Sequence, residues 1–144
     1  MSGYAVIRKA TLQDLEAIKQ IADANKDAIG FVLRPALAQN IERGWVLVAE
    51  REGVVIGFAN YRHRLDEQTT LYEICVAEEH RGNGVGKALL VALIEEGRHL
   101  GKGRLQLKCP ADSEANAFYA NMAFEQLGRE RGRNKELILW ERAL

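Results

Sequence analysis

An α/β domain built on one mixed sheet is predicted for residues 1–144 by three observations. Short β-rich runs alternate with stretches of helical apolar spacing, Glu52-Gly53 is a two-residue hairpin signal, and a glycine-rich turn joins a strand-like run to a long apolar-faced one. The length, with 47% hydrophobic residues, suits one domain with one core.

Tyr4 to Lys9 reads as the first strand. Thr11 and Asp14 then form a capping-box-like start to a helix in which Leu12, Leu15, Ile18 and Ile21 recur on one side, ending near Asn25. Ala28 to Leu33 is an apolar connection, after which Pro35 opens a second helix and Gly44 closes it. Trp45 to Arg51 and Val54 to Arg62 are antiparallel strands about the Glu52-Gly53 turn. Leu71 to Val76 is a further strand, and Gly84 to Leu100 a helix with Leu89, Leu90, Leu93 and Ile94 along one side. Leu105 to Cys109 is a strand and Ser113 to Met122 a helix. Phe124 to Gly128 and Glu136 to Trp140 close the chain as a hairpin around Arg129 to Lys135. The order βααβββαβαββ predicts a mostly antiparallel sheet of about seven strands flanked by four helices, with central strands buried on both faces.

Lysine plus arginine equals aspartate plus glutamate at 20 each, so no overall basic field exists to hold nucleic acid or an anionic membrane. No apolar run approaches the roughly 18 residues of a membrane span, and the N-terminus lacks the apolar region of a signal peptide, so a cytoplasmic location is expected. Cys75 and Cys109 lie in apolar strand-like runs and read as buried free thiols. These two cysteines and the scattered His63, His80 and His99 make no recognisable metal site.

The most specific motif is Arg81-Gly82-Asn83-Gly84-Val85-Gly86-Lys87, placed between a strand and a helix. Alternate glycines let the backbone turn tightly and aim successive N–H groups at one anion, and the helix start adds unpaired donors. Arg81 and Lys87 add charge at the edges of this pyrophosphate cradle. Its spacing matches neither a Walker loop, in which serine or threonine follows the lysine where Ala88 stands, nor the dinucleotide pattern G-x-G-x-x-G.

Arg81-x-x-Gly84-x-Gly86 after the strand Ile74-Cys75-Val76 resembles the acetyl-CoA motif of the GNAT N-acetyltransferase superfamily. Ala115-Asn116-Ala117-Phe118-Tyr119, ending in Ala123-Phe124, is similar to the family's following helix and strand, and the element order agrees over nearly the whole chain. The resemblance implies acetyl-CoA as cosubstrate, with Ile74 to Val76 bonding the pantetheine through main chain as though it were an added strand, and Gly82 to Lys87 with Arg81 holding the pyrophosphate. Asparagine is common in the family where this chain has Asp112, with neighbouring Asn116 as a substitute contact, and glycine is common where it has Ala123.

An amine with a pKa of about 10 must lose a proton before it attacks a thioester, and the leaving thiolate must gain one. The resemblance places Tyr119 near the sulfur as the acid. Glu73, a lone carboxylate in an apolar strand, is the candidate base; the alternative is an outward-facing residue paired with Arg62 or Arg64, and a water chain is a third route for the proton. The backbone N–H of Val76 would meet the developing oxyanion. His63 is a weaker candidate base, and Cys75 reads as core packing.

The resemblance also places the connection between the first two helices over the acceptor pocket, where Phe31 would form an apolar wall and Arg34 an anion clamp. The same segment alternatively packs onto the sheet. The acceptor is expected to be an amine of a small molecule or protein, and a homodimer is compatible with the fold. A non-catalytic module that senses acyl-CoA is the alternative function; it would need the cradle but not Tyr119.

Overall fold

The computed structural model describes residues 5–144, so Tyr4 of the predicted first strand lies outside the described residues. Seven strands, β1 (Val6–Lys9), β2 (Val46–Arg51), β3 (Val54–His63), β4 (Gln68–Val76), β5 (Arg104–Pro110), β6 (Glu125–Arg131) and β7 (Glu136–Ala143), form one sheet in the order β1-β2-β3-β4-β5-β7-β6. Only the β4/β5 pair is parallel. The helices are α1 (Leu15–Ala24), α2 (Lys26–Ile29), α3 (Arg34–Glu42), α4 (Val85–His99) and α5 (Ala115–Asn121). The expected order is therefore present, with one addition: the single turn α2 occupies part of what the sequence reads as a simple connection. None of the helices is long and apolar enough to cross a membrane.

Each face of the sheet carries its own core. Ile18, Ile21 and Ala22 of α1 and Leu37 and Ile41 of α3 pack on Val46, Val48, Phe58 and Cys75. On the other face, Leu89, Leu90, Leu93 and Ile94 of α4 and Tyr119 of α5 pack on Leu47, Ala59, Tyr61, Leu71, Leu105 and Leu107. The helices cover the two faces unequally, because α1 and α3 lie over the β2–β4 half alone. The same face of β5, β7 and β6 is left to polar and charged residues such as Gln106, Lys108 and Glu141.

At the start of α1 the Asp14 carboxylate accepts the Thr11 backbone N–H at 2.7 Å and both guanidinium nitrogens of Arg8 at 2.8 and 3.0 Å. This cap ties the first helix to β1. At the end of α5 the chain turns through Ala123, whose φ of 66° is left-handed. Phe124 N–H bonds the Tyr119 carbonyl at 3.1 Å and Ala123 N–H that of Ala120 at 3.3 Å, the reciprocal pair of a Schellman motif. The Phe124 ring packs edge-on against Tyr119, closing the motif with an apolar contact.

Glu96 of α4 gathers polar groups of the sheet around it. It accepts Tyr61 Oη at 2.8 Å, lies 2.7 Å from His63 Nε2 and 2.5 Å from Lys9 Nζ, while His63 Nδ1 is 2.7 Å from Thr69 Oγ1. Burial alone would raise the Glu96 pKa; the bonds from His63, Lys9 and Tyr61 outweigh it and hold the carboxyl down at about 2. This corrects the reading of His63 as a candidate base. Its ring is engaged on both nitrogens, near the C-terminal end of α4 and away from the glycine loop at its other end.

Replacing Ala123 by glycine removes the left-handed strain at that turn and is expected to stabilise the protein by about 0.5–1 kcal/mol in urea titration. Because the folded pKa of Glu96 is lowered, its contribution is complete above about pH 4.5 and is lost as pH falls towards 2. Thermal unfolding of Glu96→Gln should therefore lie below wild type at pH 7, by on the order of 1–2 kcal/mol after solvent screening, and converge with it near pH 2.

Candidate active site

The site begins where a strand pair comes apart. β4 and β5 pair in parallel from Gln68↔Arg104 to Leu71↔Leu107, and no farther. At that level the β3/β4 register shifts: Asn60 faces Glu73 while Tyr61 faces Leu71, so Tyr72 is an extra residue on β4. Such a bulge bends its strand, and here the bent portion is the part that runs on to Val76 without β5 beside it. The two strands part before Glu73, ahead of the Ile74 to Val76 stretch that the resemblance assigns to the pantetheine.

The main chain of this free edge is sorted by the antiparallel ladder with β3. Ala77 N–H bonds the Ile56 carbonyl at 2.8 Å, so Cys75, two residues back and opposite Phe58, also directs its N–H and C=O towards β3. Ile74 and Val76 then point theirs into the gap. Cys75 thus offers the gap no main-chain group, and its side chain is buried on the other side among Phe58 and the α1–α3 residues. Burial raises its thiol pKa, against the nearby Arg81, as suits a packing residue.

Beyond Val76 the glycine loop leads into α4. Gly82 and Gly84 have φ of 80° and 81°, which glycine adopts without the strain of a side chain, and Gly84 is the N-cap of α4. The first helical bond closes from Ala88 N–H to the Gly84 carbonyl at 3.0 Å, leaving the Val85, Gly86 and Lys87 N–H groups directed out of the helix end. A cleft of about 520 Å³ opens there, lined by Val76, Arg81, Gly82, Gly84, Val85, Gly86 and Lys87, with His80 beside them and Phe118, Asn121 and Met122 of α5. Asn83 is exposed in the loop and does not line the cleft. Arg81 turns back from the loop: its Nε donates to the Val76 carbonyl at 3.1 Å and its Nη2 to Asn25 Oδ1 at the end of α1. The donors, the turn glycines and the open strand edge form one continuous run of residues suited to a diphosphate with an amide-bearing arm.

Neither Glu73 nor Tyr119 lines this cleft: Glu73 is on β4 where the free edge begins, and Tyr119 is on α5 within the α4-side core. Glu73 is half-buried and shares the α1–α3 face with Asn60, whose Nδ2 donates to Glu73 Oε1 at 2.7 Å. The expected alternative pairing with Arg62 or Arg64 does not form: Arg64 pairs with Asp66 at 3.3 Å, and Arg62 has no ion pair among the described residues. Burial raises the Glu73 pKa and the Asn60 bond opposes that rise only in part. Tyr119 is 7% exposed, with its pKa raised first by burial and then by Cys109. Its hydroxyl makes no hydrogen bond to the described residues.

Other expected contacts are differently engaged. Asn116 donates to the Pro110 and Ser113 carbonyls, each at 2.9 Å, and accepts Trp140 Nε1 at 2.9 Å. Its amide is therefore saturated, which removes the reason for treating it as a stand-in at the cofactor, while Asp112 is exposed in the turn before α5. Phe31 is 79% exposed in the connection before α3. Arg34 has its guanidinium on Glu16, with contacts of 3.0 Å from Nε and Nη2, so it is neutralised where an anion clamp was expected. At the β6–β7 tip Arg129 pairs with Glu136 at 3.0 Å, as suits a solvated hairpin.

Sequence reasoning missed His80, Asn121, Met122 and Phe118 as cleft residues. The usable signal was the i, i+4 spacing of Phe118 and Met122, which puts both on one side of α5. It also missed an open trough of about 710 Å³ on the uncovered sheet face, lined among others by Arg62, Thr70, Tyr72, Gln106 and Lys108. Arg62 is opposite Thr70 and Thr70 opposite Gln106, so the trough crosses three strands next to Tyr72 and the gap.

Comparison with known proteins bears on the family to which this fold belongs. The model of the Acetyltransferase (GNAT) family matches residues 6–124. The 5-NmdU N-acetyltransferase of Pseudomonas phage PaMx11 is 34% identical over 131 residues, covering 88% of this chain and 91% of that protein. The ribosomal-protein-alanine N-acetyltransferase of Brucella melitensis superposes with a TM-score of 0.81 at 33% identity, over 96% of this chain and 99% of the other. The fold is shared also with yncA of Salmonella typhimurium, solved with its cofactor acetyl-CoA, at a TM-score of 0.82 and 24% identity over 99% and 95% of the two chains. With a strand gap, a glycine cradle at a helix start and a match of this extent, the chain belongs to the GNAT family of N-acetyltransferases.

Proposed function

We propose that the protein transfers an acetyl group from acetyl-CoA to the primary amine of a small molecule or protein by direct attack in a ternary complex. The observation that carries this reading is the gap between β4 and β5, with Ile74 and Val76 main-chain groups turned into it and the N–H groups of Val85 to Lys87 at its end. Acetyl-CoA supplies the activated acetyl as a thioester; the chain supplies position and protons.

The N–H and C=O of Ile74, turned into the gap, bind the pantetheine arm as an added strand, while Gly82 to Lys87 receive the pyrophosphate. Arg81 braces Val76 and the loop from behind, and Lys87 adds charge at the rim. Phe118 and Met122 form the apolar wall of the cleft. Glu73, raised in pKa by burial, accepts a proton from the incoming ammonium, directly or through water. The Val76 N–H meets the charge that develops on the acetyl oxygen. Tyr119, kept in its protonated form by burial, is the donor to the departing thiolate.

The acceptor reaches Glu73 from the α1–α3 face, where the trough lies. Arg62 is uncompensated there, whereas Lys108 is paired with Glu130 at 2.8 Å and Arg34 with Glu16. This favours an acceptor that carries an anionic group beside its amine. Phe31, exposed over the same face, is available as an apolar contact. The phage relative is named for a modified nucleoside and the Brucella one for a ribosomal-protein alanine, so similarity spans both small-molecule and protein acceptors.

Calorimetric titration tests the cofactor assignment: acetyl-CoA and CoA should bind and ATP should not, and absence of binding by either CoA species would withdraw the assignment. Once thiol release identifies an acceptor, Tyr119→Phe should lower kcat by roughly 10²-fold while leaving acetyl-CoA affinity within about twofold. Binding of acetyl-CoA with no turnover on any amine would favour a sensing module instead.

A further inference from the structure

Asn60 is an amide in the middle of a central strand, 8% exposed, where its neighbours along and across the strands are Phe58 and Val46. A buried amide with no partner costs about 1–3 kcal/mol, and an aliphatic side chain would fill the place without that cost. Its partners are therefore informative. Asn60 Oδ1 accepts Asn40 Nδ2 at 2.8 Å, and Asn60 Nδ2 donates to Glu73 Oε1 at 2.7 Å. Asn40 Nδ2 also donates to the Tyr61 carbonyl at 3.1 Å, and the Asn40 carbonyl accepts Trp45 N–H at 2.9 Å. Both contacts to main chain hold Asn40 in place near the end of α3.

We propose that Asn60 is a positioning residue for Glu73, held in the productive orientation by Asn40 of α3; this rests on the proposed role of Glu73 as base. Two features of the chain Asn40–Asn60–Glu73 make it directional. A flipped Asn60 would set its NH₂ against the NH₂ of Asn40 and its oxygen against the carboxylate, so only one orientation satisfies both neighbours. The single bond engages Oε1, while Oε2 makes no hydrogen bond to the described residues and is the oxygen left to take the substrate proton. The donated N–H also favours the ionised carboxylate, offsetting part of the rise in pKa that burial brings. The base is in this way tied to α3, the helix that follows the connection over the acceptor side.

The test is the pH dependence of kcat/KM at saturating acetyl-CoA for wild type, Glu73→Gln, Asn60→Ala and Asn40→Ala, with acetyl-CoA titration of each variant to establish that it is folded. Asn60→Ala should move the acidic limb upward by about one pH unit, which is about tenfold less activity on that limb, and recover towards wild type at alkaline pH. Asn40→Ala, which frees Asn60 to turn, should move the limb in the same direction by less. Loss of activity by the same factor at every pH, in either folded Asn variant, would mean that the amides serve only to hold α3 on the sheet and would overturn the proposal. An acidic limb that survives unchanged in Glu73→Gln would remove the base assignment itself, a separate failure read from a separate variant, and the proposal with it.

Discussion

Everything at the site depends on β4 and β5 ceasing to pair after Leu71 and Leu107. Strand edges inside a sheet normally find a partner, because an unpaired buried N–H or C=O costs about as much as a lost hydrogen bond. Here the extra residue Tyr72 bends β4 at the level where pairing ends, so the exposed edge is built into the register and is no accident of loose packing. α4 starts beyond the end of this edge and returns along the sheet, anchored by Leu89, Leu90 and Leu93. Its first N–H groups are thereby fixed at the mouth of the gap. A hydrophobic face and a strand bulge together place the anion-binding end of the helix and the free main chain of β4 on one ligand path.

Two carboxylates illustrate how the same fold sets charge in opposite directions. Glu73 and Glu96 are both partly buried, and burial pushes both pKa values up. Glu96 meets His63, Lys9 and Tyr61 and ends far below the usual range, fixed as an anion that binds α4 to β1 and β3. Glu73 meets one neutral amide and stays raised. Glu73 is also the more deeply buried, but the charged and hydrogen-bonding partners of Glu96 are what turn its shift downward.

Much of the fold was legible in the residues because it rests on local periodicity. The apolar spacing of α4, the turn at Glu52-Gly53 and the glycine loop each announce themselves within a few positions, and all stand where they were expected. Contacts between residues distant in the chain were not legible. A bulge of one residue decides that Glu73 faces Asn60 instead of an arginine, and nothing in the local sequence of β4 records it. Arg34 finds Glu16, 18 positions away, and Asn116 finds Trp140, 24 positions away; in each case the side chain was chemically suited to a ligand but had a protein partner instead. Ala123 stands where the resemblance expects glycine, and only the structure shows the positive φ that makes glycine easier there.

The division between cofactor and acceptor sides follows from the kinds of group each uses. The proposed cofactor side is made mostly of backbone: the main chain of Ile74 and Val76 turned into the gap, and three N–H groups at a helix start. Such a site depends on glycines and on strand geometry, which leave a motif in the sequence. The proposed acceptor side is the trough on the uncovered face of the sheet, with Arg62, Thr70, Tyr72 and Gln106 drawn from three strands and brought together only by register. No spacing rule connects them. Their identities can also change without disturbing either hydrophobic core, because none of these four side chains belongs to either one. A fold of this kind can keep one donor and accept many amines, since the contacts that define the amine carry almost none of the stability of the sheet.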